Sequence, residues 1–326
     1  MVEPALDVHE SVPTSMPRAL AIVGPTASGK TSLAVRVAHE VEGEIISMDS
    51  RQAYRGFVVG TAAPTLAERE SAIHHGVGFL DPNERYGTGR FVRFAEAWLL
   101  DIEAKGHTPI LTGGTGLFLR ALTHPIFKEP QIDSGRRAAL EAWLVGCSAR
   151  ELERWARRLD KAQRAKLRFD RQRAHRTIEL ALLSGAPLSW WIENGRTDQV
   201  PLGVRTYQLV LSTDVLRARI RNRALAMVTS GAWQEEVRGI VKTGLDRSPA
   251  FSALGYSVIA ALLKGEMTEE KAVDQIFSDT WAYARRQRTW FRHQLPEDTI
   301  VLDGSDSIEQ LTKRISEDWN GLHTEP

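Results

Sequence analysis

Apolar residues follow two alternating patterns along the first third of the chain. Residues 19–23 form an unbroken apolar run, and apolar positions then return at helical spacing over 30–40. A second, mostly apolar run covers 44–48, an amphipathic segment includes 94–102, and a third run covers 109–112. Because strands that are buried on both faces are apolar throughout, this alternation predicts a parallel sheet with helices between its strands.

The later part of the chain adds strands and also breaks the alternation. Apolar runs at 207–211 and 299–302 predict two further strands, whereas 123–200 contains helical patterns, three prolines and no strand pattern. We therefore predict an α/β fold, a doubly wound parallel sheet that a helical insertion interrupts. The predicted organisation is a flexible N-terminal tail over 1–17, a core domain over 18–122 and 201–326, and a helical insertion domain over 123–200.

A phosphate-binding motif joins the first strand to the first helix. The sequence Gly24-Pro-Thr-Ala-Ser-Gly-Lys-Thr31 matches G-x-x-x-x-G-K-[ST] in the strand-to-helix context that this motif requires. Main-chain N–H groups and the helix N-terminus attract phosphate, Lys30 adds a charge, and the Thr31 hydroxyl can hold Mg²⁺. The motif predicts a P-loop-type core that binds a di- or triphosphate. The predicted contacts are Gly24, Pro25, Thr26, Ala27, Ser28, Gly29, Lys30 and Thr31.

The loop by itself does not identify the phosphate compound. ATP and GTP are the usual ligands, but the chain lacks the Asn-Lys-x-Asp motif by which GTPases read guanine. A kinase that phosphorylates a small metabolite has the same loop, so this enzyme class remains an alternative on the motif alone.

Two more loops are expected at the same edge of the sheet, because ligands of parallel sheets bind beyond the carboxyl ends of the strands. The second predicted strand ends at Asp49, and the third ends in Gly113-Gly-Thr115-Gly. A carboxylate at Asp49 can assist Mg²⁺ or act as a general base. An aspartate at a strand end can equally cap a helix, and the Thr115 loop can equally be a tight turn.

Composition excludes several classes of protein. The 326 residues include one cysteine and balance 42 basic against 41 acidic residues, for a formal net charge of +1. One cysteine excludes a disulfide framework and a cysteine-based zinc or iron–sulfur site. No apolar run approaches the ~20 residues that span a bilayer, and no lysine or arginine occurs in 1–17. We therefore expect a cytoplasmic protein without a membrane partner.

The balanced total hides a basic segment. Residues 150–176 contain 11 basic and 4 acidic residues, a local charge of +7. A second basic cluster over 285–292 lies beside the aromatic residues Trp281, Tyr283 and Trp290. Basic groups bind phosphates and aromatic rings stack on unpaired bases, so both segments suit an RNA partner. For the second cluster, packing of the aromatic rings into the core is the favoured explanation.

The adjacent histidines His74 and His75 raise the question of a metal site. No third ligand stands at a recognisable spacing from them in the sequence. A structural role, or a role in a loop that contacts RNA, is therefore favoured over metal binding.

A set of short motifs occurs in order between residues 19 and 292. They are Gly24–Thr31, Asp49-Ser-Arg-Gln52, Tyr54-Arg-Gly56, Gly60-Thr-Ala62, Leu80-Asp-Pro82, Phe91, Gly113-Gly-Thr115, Asp170-Arg-Gln-Arg173 with Arg176 and Glu179, Gly185 with Pro187-Leu-Ser189, Arg219-Ile220 with Arg223, Glu236-Val-Arg238, Gly255-Tyr256, and Arg286-Gln287 with Thr289-Trp-Phe-Arg292. The phosphate loop alone is unspecific, but this ordered set resembles the bacterial tRNA dimethylallyltransferase family over most of the chain.

The resemblance implies a reaction. That family transfers a dimethylallyl group from dimethylallyl diphosphate to N6 of the adenosine 3′ of the anticodon in tRNA, and it releases diphosphate. By resemblance, the phosphate loop holds the diphosphate of the donor with Mg²⁺, and Arg223 stabilises that diphosphate. Asp49 would take the N6 proton while Thr115 orients the same N–H. The implied catalytic residues are Asp49, Thr115 and Arg223.

The resemblance also implies an RNA surface. The partner would be the tRNA anticodon stem-loop, from which the target adenosine must leave its stack. The implied tRNA-binding residues are Asp49, Ser50, Arg51, Gln52, Thr115, Arg137, Gln172, Arg173 and Arg176. We expect the protein to act as a monomer.

The chain departs from the family pattern mainly in its C-terminal third. Ser257-Val258 and Trp281-Ala282 stand where the family has Arg-Gln, Ser252 or a neighbour stands where an arginine is common, and Ser134 replaces a proline before Arg137. These changes motivate another alternative, a relative that binds RNA without catalysis. The presence of Lys30, Asp49 and Thr115 favours an enzyme.

Overall fold

The computed structural model describes residues 16–124, 127, 130–167, 171–195 and 199–324. The chain divides into two compact units, one formed by 1–123 with 202–326 and the other by 124–201. The predicted insertion, 123–200, differs from the second unit by one residue at each end, and the domain assignment stays a prediction. Nearly all of the predicted tail lies outside the described residues.

The first unit is built on a six-stranded parallel sheet with the strand order β3-β2-β4-β1-β5-β6. The strands are β1 (Ala19–Val23), β2 (Gly43–Ser47), β3 (His74–His75), β4 (Thr108–Gly113), β5 (Val204–Val210) and β6 (Ile300–Asp303). The predicted α/β fold with a parallel sheet is confirmed. Strand β3 was not predicted, because a strand of two residues has no periodicity to detect.

Helices connect the strands and form most of the second unit. In chain order they are α1 (Lys30–Glu40), α2 (Leu66–Ser71), α3 (Thr88–Ala104), α4 (Gly116–Thr123), α5 (Ser134–Gly146), α6 (Ala149–Leu159), α7 (Arg171–Ser184), α8 (Leu188–Asn194), α9 (Thr213–Thr229), α10 (Ala232–Lys242), α11 (Tyr256–Leu263), α12 (Glu269–Gln294) and α13 (Ile308–Thr324). Among the described residues, no helix is both long enough and apolar enough to cross a bilayer.

Both faces of the central strands β1, β2 and β4 are buried, as the unbroken apolar runs require. On β1, Leu20 and Ile22 join one apolar cluster with residues of α1 and α13. Ala21 and Val23 join another cluster with residues of α3 and α4, including Phe91. Because successive residues of a strand point to opposite faces, one short strand contributes to both cores.

The C-terminal helices hold a long loop beside the sheet. Their shared core contains Trp233, Tyr256 and Phe57, with Phe57 contributed by the loop that follows β2. Glu236 on α10 accepts hydrogen bonds from the main-chain N–H groups of Val58 and Val59, at 2.8 and 2.7 Å. It also accepts one from the Tyr256 phenol at 2.7 Å. A single carboxylate therefore fixes this loop, which continues into the functional site.

The second unit has a small apolar core of its own, formed by Leu144, Leu152, Ala156, Leu167, Ala174 and Ile178. The chain leaves the first unit after α4 and returns before β5. At that point the N–H of Leu202 donates a hydrogen bond to the carbonyl of Leu122, at 2.9 Å.

Candidate active site

The phosphate loop has the backbone conformation that its two glycines allow. Gly24 has a φ of +156°, and a Cβ on it would lie 2.8 Å from the carbonyl oxygen of Leu209. Gly29 has a φ of +96° and precedes the first residue of α1. Other residues adopt such angles only with strain, so the spacing of the motif is explained by local geometry.

Lys30 folds over the loop to which it belongs. Its Nζ donates a hydrogen bond to the carbonyl of Pro25 at 2.7 Å and lies 3.5 Å from Ser28 Oγ. Burial lowers the pKa of Lys30 to about 7, the negative charge of Asp49 opposes that shift, and the positive charge of Arg223 adds to it. An anion bound beside Lys30 would restore its charged form.

A cavity of about 440 Å³ lies beside this loop in the first unit. The loops after β1, β2 and β4 line it, together with side chains from α9 and α12, as expected at the carboxyl ends of parallel strands. The predicted site residues that line it are Thr26, Ala27, Gly29, Lys30, Thr31, Asp49, Gln52 and Arg223. Six more belong to the same loops without being part of its lining, namely Gly24, Pro25, Ser28, Ser50, Arg51 and Thr115.

Asp49 has two structural relationships at once. Its Oδ1 accepts hydrogen bonds from the main-chain N–H groups of Arg51 and Gln52, at 2.8 and 3.4 Å. This is the capping role considered from the sequence, applied to a turn rather than a helix. Within the described part of the chain, Oδ2 accepts no hydrogen bond, and the carboxylate lines the cavity. The cap therefore orients the acid and leaves one oxygen available for chemistry.

The side chains of Arg51 and Gln52, which follow Asp49, form hydrogen bonds to other residues of the protein. The Gln52 amide accepts a hydrogen bond from Ser47 Oγ at 3.1 Å and donates one to the carbonyl of Ala62 at 3.1 Å. Arg51 Nη1 lies 3.0 Å from Ser252 Oγ. Both contacts connect the end of β2 to neighbouring loops of the first unit.

Two arginines one turn apart on α9 face the phosphate loop. Arg219 donates hydrogen bonds to the carbonyls of Ser28 and Gly304, at 3.3 and 3.2 Å. Burial lowers the pKa of Arg223, and the charge of Asp49 opposes that shift. Both line the cavity. From the sequence, a role in the site was assigned only to Arg223, although Arg219 belongs to the same motif and a spacing of four residues puts it on the same helix face.

Helix α12 supplies a group that sequence analysis did not assign to the site. Tyr283 lines the cavity, where its hydroxyl interacts with the side chain of Thr115. Burial raises the pKa of Tyr283 to about 12, and the charge of Asp49 acts in the same direction. Trp281 and Trp290 instead pack against apolar clusters. Packing into the core is thus the correct explanation for these two rings but not for Tyr283.

The remaining predicted tRNA contacts lie in the second unit. Arg137 Nε and Arg176 Nη1 donate hydrogen bonds to the two carboxylate oxygens of Glu179, at 2.6 and 3.0 Å. Burial raises the pKa of Glu179, but the charges and hydrogen bonds of the two arginines outweigh it and hold the pKa below its usual range. Gln172 and Arg173 are exposed in the first turn of α7.

The two adjacent histidines occupy the edge strand β3. His75 Nε2 donates to Glu44 Oε2 at 2.6 Å, and Asp101 brings a second carboxylate within 4.8 Å of both. The ammonium of Lys105 contacts Glu44 at 3.3 Å and Asp101 at 2.7 Å, so a lysine supplies the positive charge at this cluster. These contacts support a structural role for His75, and the role of the two histidines stays a prediction.

Comparison with known proteins accounts for most of the chain. The family model described as "IPP transferase" matches residues 52–294, and a second, described as "Isopentenyl transferase", matches residues 17–74. The chain belongs to the IPP transferase family. The resemblance drawn from the ordered motifs is thereby confirmed, and the protein is an enzyme of the transferase class.

Individual members of the IPP transferase family match nearly from end to end. A tRNA dimethylallyltransferase of Roseiflexus sp. is 36% identical over 92% of this chain and 98% of the relative. One from Caulobacter sp. is 38% identical over 85% and 90%. The crystal structure of the tRNA isopentenylpyrophosphate transferase from Bacillus halodurans has a TM-score of 0.67 and 29% identity, over 94% of this chain and 96% of that one.

Proposed function

We propose that the protein transfers a dimethylallyl group from dimethylallyl diphosphate to N6 of the adenosine 3′ of the anticodon in tRNA. One observation carries this proposal: a phosphate loop, two arginines and a carboxylate line a single cavity in an IPP transferase family member. Curated relatives that match nearly the whole chain are named tRNA dimethylallyltransferase.

The donor diphosphate would bind to the phosphate loop. N–H groups of the loop, Lys30 and Arg223 offer positive potential where the leaving diphosphate gains charge. Thr31 lines the cavity beside them, and its hydroxyl accepts no hydrogen bond from the described residues, so it fits a Mg²⁺ ligand. Mg²⁺, when bound, would neutralise part of the diphosphate charge.

The acceptor would react at its exocyclic amine. The bond from C1 of the donor to the diphosphate oxygen breaks, and a bond from C1 to N6 of adenine forms. The diphosphate keeps the electron pair, and N6 loses one proton to Asp49 Oδ2, the oxygen that the cap leaves available. Thr115, with Tyr283 at its side, would orient the N–H.

The tRNA would contact both units. The target adenosine has to leave the anticodon stack to reach a cavity of this kind. Asp49, Ser50, Arg51 and Gln52 lie at the end of β2 and would receive the base or its neighbours. On the second unit, Arg137, Gln172, Arg173 and Arg176 would contact the anticodon stem-loop, since basic side chains bind RNA phosphates.

Labelled dimethylallyl diphosphate, Mg²⁺ and unmodified tRNA, with and without ATP, test the proposal. We expect label on N6 without ATP and no label with tRNA that lacks an adenosine at that position. Label that requires ATP would contradict the assignment of the loop to the donor. A chain that binds tRNA but transfers nothing would be the non-catalytic relative, and phosphate transfer from ATP to a metabolite would indicate the kinase.

We further propose that the enzyme acts as a monomer in the cytoplasm. This proposal is supported by the cavity, whose lining residues all belong to the first unit of one chain. Light scattering of the enzyme with and without tRNA tests the oligomeric state, and a dimer in both conditions would contradict it.

A further inference from the structure

Gln287 connects the phosphate loop to the loop after β4. Its Oε1 accepts a hydrogen bond from the main-chain N–H of Thr26, at 2.8 Å, and its Nε2 donates one to the carbonyl of Gly114, at 2.9 Å. The side chain is buried, and it also lines the cavity. One amide thus bridges a loop proposed to hold the donor and a loop that carries Thr115.

The surroundings of this amide are shaped to accept it. A Cβ on Gly114 would overlap Gln287 Nε2, so a glycine is required for the bridge to form. The bridge also needs a group that accepts at one end and donates at the other, which a neutral amide does and a carboxylate or an ammonium does not. Tyr283, one turn earlier on α12, reaches Thr115 from the same helix face.

We propose that Gln287 is a positioning residue that sets the distance between donor and acceptor. This rests on the proposed function, in which C1 of the donor must approach N6 of adenine. Gln287 takes up the N–H of Thr26, so this part of the loop is held by the protein rather than by phosphate. Displacement of a reacting atom by ~1 Å can cost about 10²-fold in rate. Separating the two loops therefore slows the chemical step more than it weakens binding.

Gln287→Ala tests the role through the separate effects on kcat and KM. We expect kcat to fall about 10- to 100-fold, while KM for dimethylallyl diphosphate stays within about threefold, because Lys30 and Arg223 still bind the diphosphate. Gln275→Ala is the matched control: Gln275 is an exposed glutamine on the same helix whose amide contacts Asp279 at 2.9 Å. It should leave both constants unchanged.

Gly114→Ala disrupts the same bridge without changing Gln287, because the added Cβ would overlap Gln287 Nε2. We expect the same loss of kcat, and we expect the double variant to be no slower than either single one, since all three lack the same bridge. Fully additive losses, an unchanged kcat in folded Gln287→Ala, or a rise in KM alone would overturn the positioning role. Inactivity of the wild-type chain toward tRNA would instead overturn the proposed function.

Discussion

The guanidinium of Arg219 donates a hydrogen bond to the main-chain carbonyl of Ser28, with 3.3 Å between Nη1 and the oxygen. Arg219 thereby supports the phosphate loop, whereas Arg223, one turn later on α9, points its charge at the cavity that the loop borders. Two arginines of one helix face are therefore expected to act differently, one on the loop and the other on the ligand.

Substitution should separate these two roles. Arg223→Ala removes a charge from the proposed leaving-group site, so we expect kcat to fall about 10²-fold or more with the fold intact. Arg219→Ala should lower the melting temperature in addition to kcat, because it removes two hydrogen bonds to main-chain carbonyls. Steady-state kinetics and thermal unfolding measure both effects. Arg217→Ala, an exposed position on α9, is the control, and equal profiles for Arg219 and Arg223 would contradict the separation.

Asp49→Asn tests the general base without disturbing the turn. Asparagine keeps an oxygen that can accept from the N–H groups of Arg51 and Gln52, but it cannot take a proton from N6. We expect transfer to fall about 10²- to 10⁴-fold while tRNA binding and the melting temperature stay near the wild-type values. A near-normal single-turnover rate would remove Asp49 as the base.

Lys30 should take up a proton when diphosphate binds. Its pKa of about 7 in the free protein leaves it largely neutral at about pH 8, and a bound anion raises that pKa again. Affinity for diphosphate should therefore fall as the pH rises above about 7. Calorimetry in buffers of different ionisation enthalpy measures the uptake. In Lys30→Arg the side chain stays charged, so the proton uptake that is due to Lys30 should be lost. Equal proton uptake by both proteins would show that Lys30 is not its source.

Arg173 offers the clearest test of the RNA surface on the second unit. It is exposed on α7, so Arg173→Ala should weaken tRNA binding and reduce the salt slope of the binding constant by about 1. Lys313→Ala, an exposed basic position on α13, is the control. An unchanged salt slope for Arg173→Ala would show that Arg173 does not contact the tRNA.

Arg176 is expected to affect stability as well as RNA binding. Its partner Glu179 is buried, and Arg176→Ala would leave that carboxylate with less of the charge that compensates its burial. We expect a lower melting temperature for Arg176→Ala, partly restored by Glu179→Gln in the same chain. If Arg176→Ala has the melting temperature of the wild type, the ion pair between Arg176 and Glu179 contributes nothing to the stability of the second unit.

The parts of the site that could be predicted from the sequence lie in continuous segments. The phosphate loop and Asp49 each follow an apolar strand, and the rule for parallel sheets then brings them to one edge. The role of Gln287 could not be found in this way, although Arg286-Gln287 is one of the ordered motifs. Gln287 contacts Thr26 and Gly114, which are 261 and 173 residues away, and no local sequence pattern predicts contacts over such separations. The pairing of Arg137 with Glu179 is hidden for the same reason.

The hydrogen bond between Leu202 and Leu122 has a consequence for the segment that lies between them. Both ends of the intervening segment meet at one place on the core. The entropic cost of closing a flexible loop rises only slowly with the length of the loop. Any segment whose two ends meet at this hydrogen bond can connect α4 to β5, whatever its length or sequence. The length and content of the segment between them are therefore not fixed by the residues at the edge of the sheet.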